Sequence, residues 1–348
     1  MDGPISCEVR VTLGVDTHAD VHVAVALDEL GRHLGTLEIP TTQVGYGRLI
    51  AWADRLGTIE RAGVEGTGSY GASLARFLRA KGVAVVEVSR PNRQMRRLAG
   101  KSDPLDAEAA ARAVLSGTAL GEPKTGDGLV EMIRALRIAR RSAVKARTQA
   151  TNQLHALVLT APEELRADLR SLSVGKLLCA SVKLRPGVRP STPVSATKLA
   201  LKSVARRHQQ LSVEIVALDE QLKRLVAEAA PALIAARGFG TETAAALLVA
   251  AGDNPDRLRS ESAFAHLCGS APIPASSGKT TRHRLNRGGN REANCALYMV
   301  AVSRMSWDER TKKYVARRVA EGKTKTEIIR CLKRHIAREA YRLLIASP

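Results

Sequence analysis

The sequence predicts an α/β domain followed by all-α regions, and three observations carry that reading. Short segments of strand character fill the first 40 or so residues, a strand–helix succession runs on to about residue 117, and from Leu129 the apolar residues recur at helical spacing.

The first elements are "EVRVTLGVD", "VHVAVALD" and "HLGTLEIP", three strand candidates with "ELGR" as the turn between the last two. Three short strands in succession make an antiparallel meander. The period then changes: "QVGYGRLIAWADRL" sets Val44, Leu49, Ile50, Ala53 and Leu56 on one helical face, and "RAGVEGTG" reads as a buried strand. Helix "SLARFLRAKG", strand "VAVVEVS" and helices "PNRQMRRLA" and "DPLDAEAAARAVLSG" complete the order βββαβαβαα. That order matches a ribonuclease-H-type fold, a mixed sheet with helices on its faces, over residues 8–120.

"GEPKTGDG" reads as a linker into a helical, coiled-coil region over residues 128–228. Leu129, Ile133, Leu136, Ala143, Ala150, Leu154 and Leu157 follow a heptad register broken by Arg140 and Arg147. After the break "LRPGVRPSTP" the register returns at Val204, His208, Leu211, Ile215, Leu218, Leu222 and Leu225, with His208 as a polar residue tolerated in a helix interface. Two such helices pair within one chain or between chains, and the pattern allows either.

Residues 229–348 form a third, helical region. It opens with two apolar helices around Gly238-Phe239-Gly240, with Thr241 available as an N-cap, the pattern of a helix-hairpin-helix. Gly238 and Gly240 would leave amides open to a phosphate; the other reading is a tight helix–helix turn. Further on, "PASSGKTTRHRLNRGGNREAN" reads as a basic loop, and "TEIIRCLKRHIAREAYRLL" as an amphipathic helix with one packed face and one basic face.

Composition narrows the partner. With 54 Lys and Arg against 34 Asp and Glu, the 348-residue chain carries a formal charge of +20, which points to nucleic acid. Aromatic residues make up only 3%, so binding rests on charge and hydrogen bonds rather than on base stacking. No apolar run approaches the roughly 20 residues of a membrane span and no signal-peptide core follows the start, so a cytoplasmic location without membrane attachment is expected. Cys7, Cys179, Cys268, Cys295 and Cys331 lack a CxxC pair and read as reduced, buried thiols.

Asp16 in "LGVDTH" and Glu65 in "GVEGTG" end two apolar strands, where a carboxylate is costly to bury unless paired, protonated or bound to a cation. In a ribonuclease-H-type sheet the first and fourth strands are neighbours, so the two would meet. Asp103 and Asp106 start a helix in "KSDPLDAEAAARAV", with Asp103 at the N-cap and Pro104 at the first helical position. Taken alone, they start a helix; beside Asp16 and Glu65 they can point at a shared ion. Oxygen-only ligands suit Mg²⁺ or Mn²⁺, which assist phosphodiester chemistry. Glu108 is left to solvent or Arg112, and His18 and His22 read as exposed residues of a strand turn.

"GVDTH", "VEGTGSYG", "KSDPLDAEAAARA", the Gly-Phe-Gly turn and "GSAPIPASSGKTTRHRLNRGGNREANCAL", in that order, resemble the transposases of the insertion-sequence 110 family from about residue 9 to 344. The resemblance implies a RuvC-like domain with a DEDD metal site, here Asp16, Glu65, Asp103 and Asp106. It also implies a C-terminal transposase domain whose serine attacks DNA and forms a phosphoserine link. The family's Ser-Gly before a basic residue matches Ser277-Gly278-Lys279, with the adjacent Ser276 as the alternative nucleophile. Lys279, Arg282, Arg284, Arg287 and Arg291 would then grip phosphates around the attacked bond.

A structured bridge RNA that pairs with target and donor DNA is implied as a partner. So are dimers joining into a tetramer, with the active site shared between the RuvC-like domain of one subunit and the serine domain of another. The competing expectations are a RuvC-like nuclease or junction resolvase that uses water, and a non-catalytic nucleic-acid-binding protein.

Overall fold

The computed structural model describes residues 9–88, 102–276 and 283–346. The chain divides into two compact units, the first reaching Gly128 and taking back Ala251–Ser260, the second holding Leu129–Ala250 and the chain from Glu261.

The first unit is built on five strands, β1 (Arg10–Thr17), β2 (Val21–Leu27), β3 (His33–Pro40), β4 (Thr58–Glu65) and β5 (Ala84–Val88), in the order β3-β2-β1-β4-β5. The β1–β2 and β2–β3 pairs are antiparallel, and β1–β4 and β4–β5 are parallel, so the first and fourth strands are neighbours as expected. Helices α1 (Gln43–Asp54) and α2 (Ala72–Ala80) cover one face, where Val11, Leu13 and Val15 of β1 pack with Tyr46, Leu49, Leu74 and Leu78. Helix α3 (Asp103–Leu115) covers the other face, with Ala107 and Ala111 against Val23, Val25 and Leu27. This is the mixed sheet of a ribonuclease-H-type fold. The helix expected over residues 91–99 lies outside the described residues.

Two details of this unit depart from the pattern. Val44, expected on the buried face of α1, is 74% exposed, and Tyr46 is buried in its place. Thr42 caps the helix by accepting the Gly45 amide, and from that start the inward face runs through Gly45, Tyr46, Leu49 and Ala53. The stretch expected as a linker is tied down: the Arg79 guanidinium donates to the carbonyls of Lys124 and Thr125, and Asn254 accepts from the Thr125 amide while donating to Pro123. Its backbone groups are therefore satisfied within the unit.

The second unit is helical. Its long members are α4 (Leu129–Leu159) and α7 (Pro193–Ala229), linked by α5 (Glu163–Leu169) and α6 (Val174–Lys183). Arg140 meets Asp219, and Leu154 shares a core with Leu201 and Ala205, so α4 and α7 run antiparallel within one chain. Thr192 and Ser195 form a capping box that starts α7 directly after the Pro-rich break. Beyond lie α8 (Pro231–Ala235), α9 (Thr241–Ala251), α10 (Glu261–Leu267), the two-residue strands β6 (Ile273–Pro274) and β7 (His283–Arg284), and α11 (Arg291–Trp307), α12 (Glu309–Ala320) and α13 (Lys325–Ile345). The apolar face of α13 packs as expected, burying Ile328, Leu332, Ile336, Ala340 and Leu344. No described helix is long and apolar enough to cross a membrane.

One expectation is corrected in this unit: among the described cysteines only Cys268 is buried, its thiol pushed up to about 12 by desolvation, whereas Cys179 and Cys295 are exposed because they fall on the outward faces of α6 and α11. Next to the register position Leu136 of α4, Arg137 is buried, and its guanidinium donates to Glu242 at 2.7 Å and Glu292 at 3.0 Å. Glu242 stands in the first turn of α9 and Glu292 in that of α11, so one arginine ties the arm to the starts of two helices, each carboxylate also favoured by its helix dipole. Removing it empties the buried seat between two carboxylates, each about 40% exposed, and leaves Glu242 only Arg140 at 3.6 Å and Glu292 only Arg141. Arg137→Ala is therefore expected to lower stability to urea by about 2–3 kcal/mol, less than the roughly 3–5 kcal/mol of a wholly buried pair. Arg134→Ala, which breaks only the exposed pair with Glu131, is expected to cost at most about 1 kcal/mol, and equal losses would contradict the assignment.

Candidate metal centre

Strands β1 and β4 end on the same tripeptide pattern, Gly14-Val15-Asp16 and Gly63-Val64-Glu65, and pair in parallel with Gly14 opposite Gly63 and Val15 opposite Val64. The two valines enter the core on the α1 and α2 side. Alternation then turns the glycines and the acids to the α3 side. A Cβ on Gly14 would lie 2.1 Å from the Ala107 carbonyl oxygen and 2.2 Å from the Ala111 nitrogen, and one on Gly63 would lie 2.6 Å from Val114. Only glycine lets α3 come so close, and its first turn carries Asp103 and Asp106.

The helix begins one residue earlier than an Asp103 cap requires. Ser102 holds the N-cap position without a side-chain capping bond, and Asp103 is the first helical residue. The Asp103 carboxylate therefore turns outward along the first turn. His18, the residue just past the end of β1, reaches the same place: its Nδ1 is 3.8 Å from Asp16 Oδ2 and its Nε2 is 3.9 Å from Asp103 Oδ1. Asp16, His18 and Asp103 each offer a ligand atom, all within 4.8 Å of one another. Glu108 instead pairs with Arg112 at 2.6 Å.

Burial pushes the pKa of Asp16 up, as do the neighbouring carboxylates of Asp106 and Asp103, while His18 pulls it down. Asp106 is buried beside it. Glu65 is brought to the site by its strand, where its carbonyl accepts from the Thr17 hydroxyl at 2.9 Å, but its carboxylate stands outside the group of three. Asp16 and Asp103 lie together with His18, Asp106 is close enough to raise the Asp16 pKa, and Glu65 is adjacent in the sheet. His18, which the sequence offered as an auxiliary group beside Asp16 or an exposed residue of a strand turn, is about half exposed at the end of β1 and faces both Asp16 and Asp103. His22 corrects the expectation of an exposed turn residue: it is buried, stacked on Tyr46 at 5.9 Å, with its Nδ1 accepting the His18 amide and its pKa lowered by burial.

Ser277, Lys279 and Arg282 lie outside the described residues. Ser276 is exposed, as are Arg284, Arg287 and Arg291. The segment read as an irregular loop has a paired base, since β6 and β7 join Ile273 to Arg284 and Pro274 to His283. Three asparagines that sequence reading missed hold its exit. Asn286 donates to the His266 carbonyl, Asn290 accepts the amides of Glu292 and Ala293, and Asn294 donates to the carbonyls of Cys268 and Gly269.

At the Gly-Phe-Gly turn, α9 starts at Thr241, which lies inside the helix rather than capping it. The Gly240 amide donates to Thr243 Oγ1 at 2.9 Å, so that donor is already engaged. Gly238 takes a positive φ of 80°, and Arg304 packs over Phe239 while donating to the Arg237 carbonyl. These contacts make a packed helix–helix turn.

Two family models match the chain. One, a transposase model for DEDD proteins of IS110 type, covers residues 13–161; the other, described as the transposase IS116/IS110/IS902 family, covers residues 221–316. A 129-residue stretch is 32% identical to an insertion element IS110 uncharacterized 43.6 kDa protein of Streptomyces coelicolor, covering 34% of this chain. The match spans 32%, about a third, of that relative's length.

Two outcomes follow from the geometry. Gly14→Ala is expected to cost about 2–3 kcal/mol by overpacking and to weaken divalent-metal binding, whereas Gly47→Ala within α1, with nothing within 4 Å, is expected to stabilise by about 0.5–1 kcal/mol and to leave metal binding unchanged. Thermal melts and metal titrations check the pair, and similar behaviour of the two variants would contradict the account. The raised pKa of Asp16 means the folded state holds that proton more tightly than the unfolded state, so its contribution to stability falls as pH rises through the shifted value. Asp16→Asn is therefore expected to raise the melting temperature of the metal-free protein at neutral pH while abolishing metal binding, and a lowered melting temperature would contradict it.

Proposed function

Since the chain belongs to the IS110 family of transposases, we propose that it cuts and rejoins DNA for an insertion element, guided by a structured bridge RNA. The observation that carries the proposal is the convergence of carboxylates from the end of β1 and the start of α3, with Asp16 buried among them. Carboxylates packed this closely repel one another, and a divalent cation relieves the repulsion, so the donor set fits Mg²⁺ or Mn²⁺. Asp16, Glu65, Asp103 and Asp106 would hold it. When bound, such an ion polarises the phosphoryl group and offsets charge on the attacking and leaving oxygens.

The remaining chemistry belongs to the serine segment. The Ser277 hydroxyl, or that of Ser276, attacks a DNA phosphodiester; a P–O bond to serine forms, the bond to one strand breaks, and the departing oxygen takes up a proton. Attack by a new strand's hydroxyl reverses the step and frees the serine. Lys279, Arg282, Arg284, Arg287 and Arg291 grip the flanking phosphates, consistent with the +20 charge of the chain. In this reading Gly238 adds a backbone contact near the turn, and Gly240 could join it only by giving up its bond to Thr243. Dimers joining into a tetramer bring the carboxylates of one subunit to the serine of another.

The test is covalent trapping. The full chain is incubated with RNA transcribed from the DNA flanking its gene and with DNA bearing the element's ends, then resolved under denaturing conditions. The wild type and Ser276→Ala are expected to yield a protein–DNA adduct that Ser277→Ala lacks. An adduct surviving the double substitution would overturn the serine chemistry, and cut DNA without any adduct would establish a water-using nuclease or resolvase instead.

A further inference from the structure

The carboxylates of the metal centre are all oxygen donors, but the side chain that stands between two of them is an imidazole. We infer that His18 is a ligand of this centre and that it tilts the site toward a transition-metal dication, Mn²⁺ over Mg²⁺. The inference rests on the reading of Asp16 and Asp103 as metal ligands.

His18 follows directly on Thr17, the last residue of β1, and is about half exposed, so the imidazole lies over the site rather than in the core. Its two nitrogens face Asp16 at 3.8 Å and Asp103 at 3.9 Å. An ion about 2.1 Å from each of its ligands holds neighbouring ligands roughly 3–4 Å apart, and Asp16, His18 and Asp103 offer one atom each within 4.8 Å of one another, so a small closure brings one imidazole nitrogen into coordination. The backbone beneath it is fixed, because the His18 amide donates to Nδ1 of the buried His22. A ligating histidine held by its surroundings loses little freedom when it binds.

Chemistry then sets the preference. Mg²⁺ keeps oxygen ligands and waters, whereas an imidazole favours first-row transition metals. Mn²⁺ accepts both kinds of donor, and Co²⁺ reports nitrogen ligation through its visible spectrum.

The experiment is calorimetric titration of the full chain with MnCl₂ and with MgCl₂, for the wild type, His18→Ala and Asp16→Asn. His18→Ala is expected to weaken Mn²⁺ binding by about tenfold and to leave Mg²⁺ binding unchanged, and the Co²⁺ absorption of the wild type is expected to shift in the variant. The ratio of the two affinities does not depend on the fraction of protein folded, so a merely destabilised variant would not reproduce the result. Equal weakening of both ions, or unchanged Mn²⁺ affinity, would overturn the role of His18 while leaving the carboxylate site standing. A wild type that binds neither ion, like Asp16→Asn, would overturn the carboxylate reading as well.

Discussion

The close approach of one helix to the sheet is the constraint on which the candidate site depends. Gly14 and Gly63 lie opposite each other on adjacent parallel strands, and α3 settles over them with Ala107, Ala110 and Ala111. Glycine inside a strand gives up side-chain packing and backbone entropy, so two in register mark a position where something else must come close. Here it is the backbone of α3, and its first turn delivers Asp103 and Asp106 to Asp16. A side chain at either glycine would lift the helix and part the carboxylates.

That arrangement stores unfavourable electrostatics. Burial and two neighbouring carboxylates raise the Asp16 pKa, opposed by His18 and by a hydrogen bond from the Thr17 backbone. Sites that bind cations commonly accept this cost, since the repulsion that weakens the empty protein is what the ion relieves. Within the second unit the same logic runs in reverse. Arg137, buried in the arm, is satisfied by Glu242 and Glu292, so its charge organises the helices that follow the Gly-Phe-Gly turn and the serine segment.

Much of this was legible in the sequence, for identifiable reasons. That the first and fourth strands are neighbours followed from the βββαβαβαα succession, and acids placed at element ends marked Asp16 and Asp103, which the fold brings close. What escaped depended on tertiary context. Val44 and Tyr46 both suit an amphipathic helix, and the cap at Thr42 decided between them. Arg137 reads as a surface charge until Glu242 and Glu292, both far along the chain, come to meet it. His18 and His22 looked alike, yet one lies just past the end of β1 beside Asp16 and Asp103 and the other is buried beside Tyr46. Asn286 and Asn294, which hold the serine segment, bond to backbone carbonyls, and no side-chain pattern announces those; Asn290 caps α11.

The most direct measurement of the central claim is a crystal structure grown with Mn²⁺, with anomalous diffraction recorded at the manganese edge. The account predicts a single strong peak per subunit between the carboxylates of Asp16 and Asp103, with Gly14 in contact with α3. A peak elsewhere, or Asp103 and Asp106 turned away from Asp16 in the presence of the ion, would contradict it.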